Sequence, residues 1–122
     1  MKFKTTTDDG QTLNFLRNLN TEKMYREDTG REFNAQLGEL AYHLEAMGQA
    51  EDKSAEDYDP KKLYALAMDL TFLETRDEVL KYMYAEKNEA GTLIQNEATR
   101  EAWEELSGLD KNMLIGLYFR RI

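Results

Sequence analysis

Residues 33–47 read FNAQLGELAYHLEAM, and they form the clearest helix pattern in the chain. Its apolar side chains recur three or four positions apart, at Phe33, Leu37, Leu40, Ala41, Leu44 and Met47. That spacing places them along one face of an α-helix, and such a face must be covered by other elements. We therefore predict a helix that ends at Gly48, because glycine readily adopts the left-handed conformation of a C-cap.

Further helices are predicted toward the carboxyl end. Asp59-Pro60 is typical of a helix start, since aspartate caps free N–H groups and proline fits the first turn. Apolar spacing continues at Leu63, Leu66, Ala67, Leu70 and Leu73. Capping-box spacing at residues 75–78 favours a break or kink near Glu74, over one bent helix. The same spacing at 92–95, and Asp110, predict two more helices. The predicted core includes Leu40, Leu44, Leu66, Leu70 and Trp103.

The amino-terminal part predicts a β-hairpin. Alternating polar and apolar residues at 2–7 and 11–16 are typical of strands, and Asp9-Gly10 is a strong turn signal. Residues 17–31 are predicted to be a mobile linker, in which Asn20 or Thr21 caps at most a short helix. The fold class is therefore mostly α: one domain over residues 1–122, with a hairpin at 1–16 and a helical body of four to five helices at 32–122.

Composition excludes several classes of function. The chain has 122 residues, no cysteine and a single histidine, which excludes thiolate metal sites, disulfides and a multi-histidine metal site. No apolar run is long enough for a membrane span, and the first residues do not form a signal peptide, so a cytoplasmic protein without membrane contact is expected. No phosphate-binding or nucleophile-elbow motif is present, so we predict no cofactor, no metal and no enzymatic activity.

Negative charge is concentrated in one quarter of the chain. The net charge is −8, and residues 32–60 contain eight acidic residues and one basic residue, net −7. The densest part holds Glu51, Asp52, Glu56, Asp57 and Asp59. Such a surface disfavours direct nucleic-acid binding and favours a basic protein partner. The alternative is a solvated loop that only raises solubility.

One candidate catalytic pair is found on the first long helix. Glu39 and His43 are four residues apart and share a helix face. They would suit a base and the group that orients it, but a lone pair of this kind is more often an ordinary surface pair. A small enzyme that uses this pair is therefore ranked third, after two non-enzymatic functions.

Aromatic residues form the second group of candidate partner contacts. Tyr82, Tyr118 and Phe119 lie beside apolar stripes and suit a protein interface. The alternative is that they complete the core. The apolar and basic ending at 117–122 would either cap its own bundle or bind the acidic 51–59 segment of a second copy, which would give a homodimer.

The layout resembles that of small phage tail assembly chaperones. The likeness rests on the predicted hairpin at 2–15, the stretch TLNFLRNL at 12–19 and the acidic amphipathic helices. It implies a non-enzymatic protein that binds an elongated helical partner during virion assembly, and it carries over no functional residue.

The leading hypothesis is thus a non-enzymatic protein–protein interaction protein, such as a phage or prophage assembly factor or chaperone, with a basic or helical partner. The alternative is an inhibitor that mimics nucleic acid. It would place the carboxylates of residues 51–59 at the positions that phosphates occupy when a basic protein binds nucleic acid.

Overall fold

The computed structural model describes the backbone of residues 1–121 and the side chains of residues 1–120. Within this part, helices and strands follow in the order β1 (Lys2–Thr6), β2 (Thr12–Leu16), α1 (Leu19–Thr29), α2 (Phe33–Ala50), α3 (Pro60–Ala67), α4 (Leu70–Met83), β3 (Tyr84–Lys87), β4 (Leu93–Ile94), α5 (Glu97–Glu104) and α6 (Lys111–Arg121). The mostly α class is confirmed. The described part of residues 32–122 contains five helices, α2 to α6, within the predicted four to five. The sixth helix of the described chain, α1, lies in the predicted linker, and the helical body also contains two strands that were not predicted.

The four strands form one antiparallel sheet in the order β1-β2-β3-β4. The predicted hairpin is confirmed: Phe3 pairs with Phe15, and Gly10 in the turn has a φ of 87°. Its second strand then pairs with β3, where Phe15 lies opposite Tyr84. The hairpin is therefore stabilised by a long-range strand pairing, because two strands alone are marginal in water.

The inner face of the sheet builds the aromatic centre of the core. Phe3 stacks on Phe15 at 4.8 Å between ring centroids, and Trp103 of α5 meets Phe15 edge-on at 6.0 Å. Tyr84 also meets Phe15 edge-on, at 6.0 Å. All four rings are buried. The sheet and helices thus share one core rather than forming separate parts.

Residues 17–31 are not a linker. They contain the eleven-residue helix α1, in which Thr21 and Tyr25 are buried. Asn18 accepts a hydrogen bond from the Thr21 N–H, while the Thr21 hydroxyl accepts one from the Asn18 N–H, and Gly30 closes the helix in the left-handed conformation. This reciprocal cap starts the helix at Leu19, so that both predicted cap residues, Asn20 and Thr21, lie within its first turn. Burial of the Tyr25 ring then holds it against the core.

Two helix boundaries differ from the prediction. α2 continues through Gly48 to Ala50, so Gly48 is not its C-cap. The break after α3 lies at Met68-Asp69, not at Glu74, because the Asp69 carboxylate accepts a hydrogen bond from the Phe72 N–H at 2.8 Å and caps α4. α4 therefore starts at the Asp69 cap and not at the later capping pattern, whose first residue, Thr75, is buried within the helix.

The break between α3 and α4 explains why one predicted core residue, Leu70, is not buried. Leu40 and Trp103 are buried, and Leu44 and Leu66 are partly buried against the core. Leu70 is 72% exposed, because α4 starts there and its helical phase is not continuous with that of α3. In its place, Phe72 of α4 faces the core.

The remaining helix starts follow side-chain caps. Asp59 accepts a hydrogen bond from the Lys61 N–H at 2.9 Å, and Asp110 accepts one from the Met113 N–H at 3.0 Å, as predicted. Residues 92–95 do not start a helix: Leu93 and Ile94 form β4, and Asn96 caps α5. Leu93 and Ile94 therefore pair with β3 as a strand, although the local pattern predicted a helix at these residues.

Candidate functional site

The aromatic residues predicted to contact a partner lie in the core. Tyr82 is buried, and its hydroxyl donates to the Asp28 carboxylate at 2.9 Å. Tyr118 is 1% exposed, and its hydroxyl accepts from the Arg17 guanidinium. A partner cannot reach either ring, so the prediction of Tyr82 and Tyr118 as binding anchors is wrong. Phe119 is partly buried and packs against the same core.

The carboxyl-terminal stretch mainly caps its own bundle. Leu117 packs against the core next to buried Tyr118, and Arg120 is exposed. The side chain of Arg121, and all of Ile122, lie outside the described residues. The apolar part of this stretch is therefore already used within the chain.

Exposed aromatic residues lie instead on α2 and α3. Tyr42 is 75% exposed and Tyr64 is 68% exposed. Sequence reasoning missed Tyr42, although a signal was present. It falls between the apolar positions of α2 and therefore points away from the helix face that enters the core.

Tyr42 borders a groove between α2, α3 and the loop that joins them. The groove has a volume of about 600 Å³. Its lining combines aromatic, small and acidic side chains from the three segments, including Tyr42, Ala46, Asp52, Asp57, Tyr58, Asp59, Lys62 and Leu66. We call it the α2–α3 groove. Three of the five predicted acidic site residues thus line one concave surface, while Glu51 and Glu56 are exposed outside it.

Local hydrogen bonds shape the acidic loop. The Asp52 carboxylate accepts from the Ser54 hydroxyl at 2.6 Å and from the Ser54 N–H at 2.9 Å, and these bonds lower the pKa of Asp52. Successive turns follow, from the Ala55 N–H to the Asp52 carbonyl and from the Tyr58 N–H to the Ala55 carbonyl. Asp52 therefore shapes the turn while its charge remains at the surface.

The carboxylates of this loop form no ion pair with a basic side chain of the described residues, although Lys62 lines the same groove. All five are exposed, and none takes part in an ion pair among residues 1–120. The nearest basic groups in sequence are Lys53, Lys61 and Lys62. The loop therefore presents unpaired negative charge to solvent beside two tyrosine rings.

His43 joins the two helices behind the groove. Its Nε2 lies 2.6 Å from the Leu66 carbonyl oxygen, and its ring stacks on Phe72 at 4.3 Å. No hydrogen bond joins Glu39 to His43 in the described chain, although both line a cavity of about 270 Å³. Because a backbone carbonyl can only accept, the Nε2 atom donates to it, and this bond ties α2 to the end of α3.

Comparison with protein-family models, with curated proteins and with solved structures found no match. Among the described residues, no helix has both the length and the apolar character required to cross a bilayer. The site is therefore interpreted from its own geometry.

Buried tyrosines elsewhere in the fold predict sensitivity to alkaline pH. The pKa values of Tyr82 and Tyr84 are both raised to about 12. Burial is the larger cause, and the hydrogen bond from Tyr82 to Asp28 or from Tyr84 to Glu86 is the second. Burial and the hydrogen bond to Glu78 raise the pKa of Tyr25 further. Since an unfolded tyrosine titrates near pH 10, the stability that these groups provide is present below about pH 10 and is lost as the pH rises toward 12.

We therefore expect the free energy of unfolding to fall steeply between about pH 10 and 12. Urea unfolding at several pH values, with tyrosinate absorbance recorded in parallel, measures this. Tyr82→Phe should flatten the decline, whereas Tyr64→Phe, at an exposed position, should not change it. An alkaline decline that is identical in both variants would contradict the assignment.

Proposed function

We propose that this chain is a non-enzymatic protein-binding protein, and that the α2–α3 groove takes a basic segment of a protein partner. One observation carries the proposal: exposed Tyr42 and partly buried Tyr58 lie in the same groove as Asp52, Asp57 and Asp59. Aromatic rings are enriched in interfaces, where they supply contact area at low cost in side-chain entropy.

The groove suits arginine and lysine side chains in particular. Their aliphatic stems can pack along a tyrosine ring while the charged end group reaches the carboxylates. A guanidinium can also contact the face of a ring and one carboxylate at the same time. The partner segment should therefore combine basic residues with apolar residues that contact Ala46 and Leu66 on the groove lining.

The narrower proposal is an assembly factor or chaperone that shields such a segment until the partner assembles. It is supported by the resemblance of the hairpin and acidic helices to small phage tail assembly chaperones. A groove of about 600 Å³ holds only a few side chains, which suits a short segment bound reversibly.

A labelled peptide tests the groove directly. The probe is a synthetic twelve-residue peptide of alternating arginine and leucine pairs, with a glycine-arginine peptide of equal charge as reference, both measured by fluorescence anisotropy. Tyr42→Ala should weaken binding of the first peptide by about 30-fold, equivalent to about 2 kcal/mol at a hot spot. Tyr64→Ala is the matched control, since Tyr64 is exposed but does not line the groove.

The charge of the groove is tested in the same assay. The triple variant Asp52→Asn, Asp57→Asn and Asp59→Asn should also weaken binding, and the loss should be smaller at high salt. Its control removes three exposed carboxylates spread along α5 and its C-cap, by Glu97→Gln, Glu101→Gln and Glu105→Gln. Equal affinity for the wild type, Tyr42→Ala and the triple variant would refute the groove as the binding site.

The second candidate is a nucleic-acid mimic that blocks a basic nucleic-acid-binding protein. It is supported by the five exposed loop carboxylates, which take part in no ion pair of the described chain. In that case charge alone would set affinity. Neutralising the loop would then abolish binding to a basic partner, while Tyr42→Ala would leave it unchanged.

A further inference from the structure

The outer face of the sheet carries a basic surface that the proposed function does not use. Side chains alternate along a strand, so Lys2 and Lys4 of β1 point away from the core that holds Phe3. Lys87 of β3 lies on the same side, and the three lysines line one cavity of about 590 Å³ with Asn14 between the strands. We call this surface the lysine face, defined by Lys2, Lys4 and Lys87.

The positive charge of the lysine face is not compensated within the described chain. No carboxylate lines the cavity, and none of the three lysines takes part in an ion pair among residues 1–120. Glu86 is adjacent in sequence, but it lies on the opposite side of β3, where it accepts a hydrogen bond from Tyr84 at 3.1 Å. A chain of net charge −8 thus keeps a separate basic surface.

The chain also carries the complementary surface, which is the acidic loop at residues 51–59. No ion pair or hydrogen bond of the described chain joins this loop to the lysine face. We propose that the lysine face is the docking site for the acidic loop of a second copy. The inference rests on the proposed function, because it names a second copy as one source of the basic groups that meet this loop.

The symmetry of the proposed contact determines which assemblies it can form. Two different surfaces meet, so a single contact is heterologous, and a pair joined by it retains a free lysine face on one copy and a free loop on the other. Association can therefore continue beyond a dimer to a short chain or a ring. Because every charged group involved is exposed, attraction should weaken as salt shortens the Debye length from about 30 Å to about 8 Å.

Sedimentation velocity of the full chain tests the proposal at about 0.01 M and about 0.15 M ionic strength. The wild type should show species larger than a dimer at low salt, with a concentration-dependent sedimentation coefficient, and should dissociate at the higher salt. The face variant combines Lys2→Glu, Lys4→Glu and Lys87→Glu. The loop variant replaces residues 51, 52, 56, 57 and 59 by their amides. Each variant alone should remain a monomer.

Mixing the two variants gives the decisive result. The face variant retains an acidic loop and the loop variant retains a lysine face, so together they form one contact and no more. An equimolar mixture should therefore give a heterodimer at low salt and nothing larger. Circular dichroism verifies that both variants fold, and Lys2→Gln, Lys4→Gln and Lys87→Gln give a milder face variant if charge reversal disturbs the sheet.

Several outcomes would overturn the proposal. A wild type that is monomeric at low salt would do so, as would a mixture of variants that stays monomeric. Binding of a labelled single-stranded oligonucleotide to the lysine face, without self-association, would assign that face to a polyanion instead. The face variant keeps an intact α2–α3 groove, so its binding of the arginine–leucine peptide shows separately whether the proposed function holds.

Discussion

Phe15→Ala is expected to lower the free energy of unfolding by about 3–5 kcal/mol. Phe15 is fully buried and contacts three aromatic rings, from Phe3, Tyr84 and Trp103, that come from three different parts of the chain. Its removal leaves a cavity where the sheet meets α5, and close packing on all sides prevents the site from collapsing. Urea unfolding followed by circular dichroism measures the change.

Leu70→Ala is the matched control for this prediction. Leu70 is 72% exposed at the start of α4, so its truncation should cost less than about 0.5 kcal/mol. A loss near 2 kcal/mol or more at Leu70 would mean that the break at Asp69 is misplaced. A loss below about 1 kcal/mol at Phe15 would mean that the sheet does not share its core with α5.

Gln95→Leu is expected to cost about 3 kcal/mol, although it preserves the size of the side chain. The Gln95 amide nitrogen donates to the carbonyls of Leu16 at 2.7 Å, Met83 at 2.9 Å and Tyr82 at 3.1 Å. Its amide oxygen accepts from the Thr21 hydroxyl at 2.8 Å. The substitution removes all four bonds at the junction of β2, α4 and α1. The Tyr82 and Met83 carbonyls lose the Gln95 donor, while the Leu16 carbonyl and the Thr21 hydroxyl keep their bond to each other.

Gln95→Glu separates hydrogen bonding from packing by its pH dependence. A carboxylate facing three carbonyl oxygens is disfavoured, so the pKa of this new carboxyl should be raised in the folded state. The variant should therefore be least stable at neutral pH and should regain stability as the pH falls toward about 4, relative to the wild type at the same pH values. An effect that is independent of pH would show that packing alone determines the cost of changing Gln95.

Local signals in the chain predicted those elements whose stability is local. Asp9-Gly10 predicted the turn of the hairpin, and Asp59-Pro60 predicted the start of α3, because the necessary contacts lie within a few residues. The failures at Glu74 and at residues 92–95 arose where two capping signals, or a cap and a strand, competed for the same residues. Asp69 took precedence in the first case and pairing with β3 in the second.

For the candidate site, composition located the acidic loop but not its neighbours. The clustering of Asp52, Asp57 and Asp59 is a property of the sequence alone. That Tyr42 lies beside them, while Tyr82 and Tyr118 do not, depends on how α2 packs against α3 and the core. An aromatic residue near an apolar stripe can face either side, and only its neighbours in space determine which.

Local sequence patterns therefore predicted the hairpin, the apolar face of α2, the Asp59 and Asp110 caps and the concentration of negative charge. Only tertiary contacts place β3 in the sheet, bury Tyr118 and join its hydroxyl to Arg17, 101 residues away, and bring three lysines to one outer face. The difference lies in the sequence separation of the residues that stabilise each feature. Turns and caps are stabilised by neighbours in the chain, whereas burial and charge complementarity depend on distant residues brought together by folding.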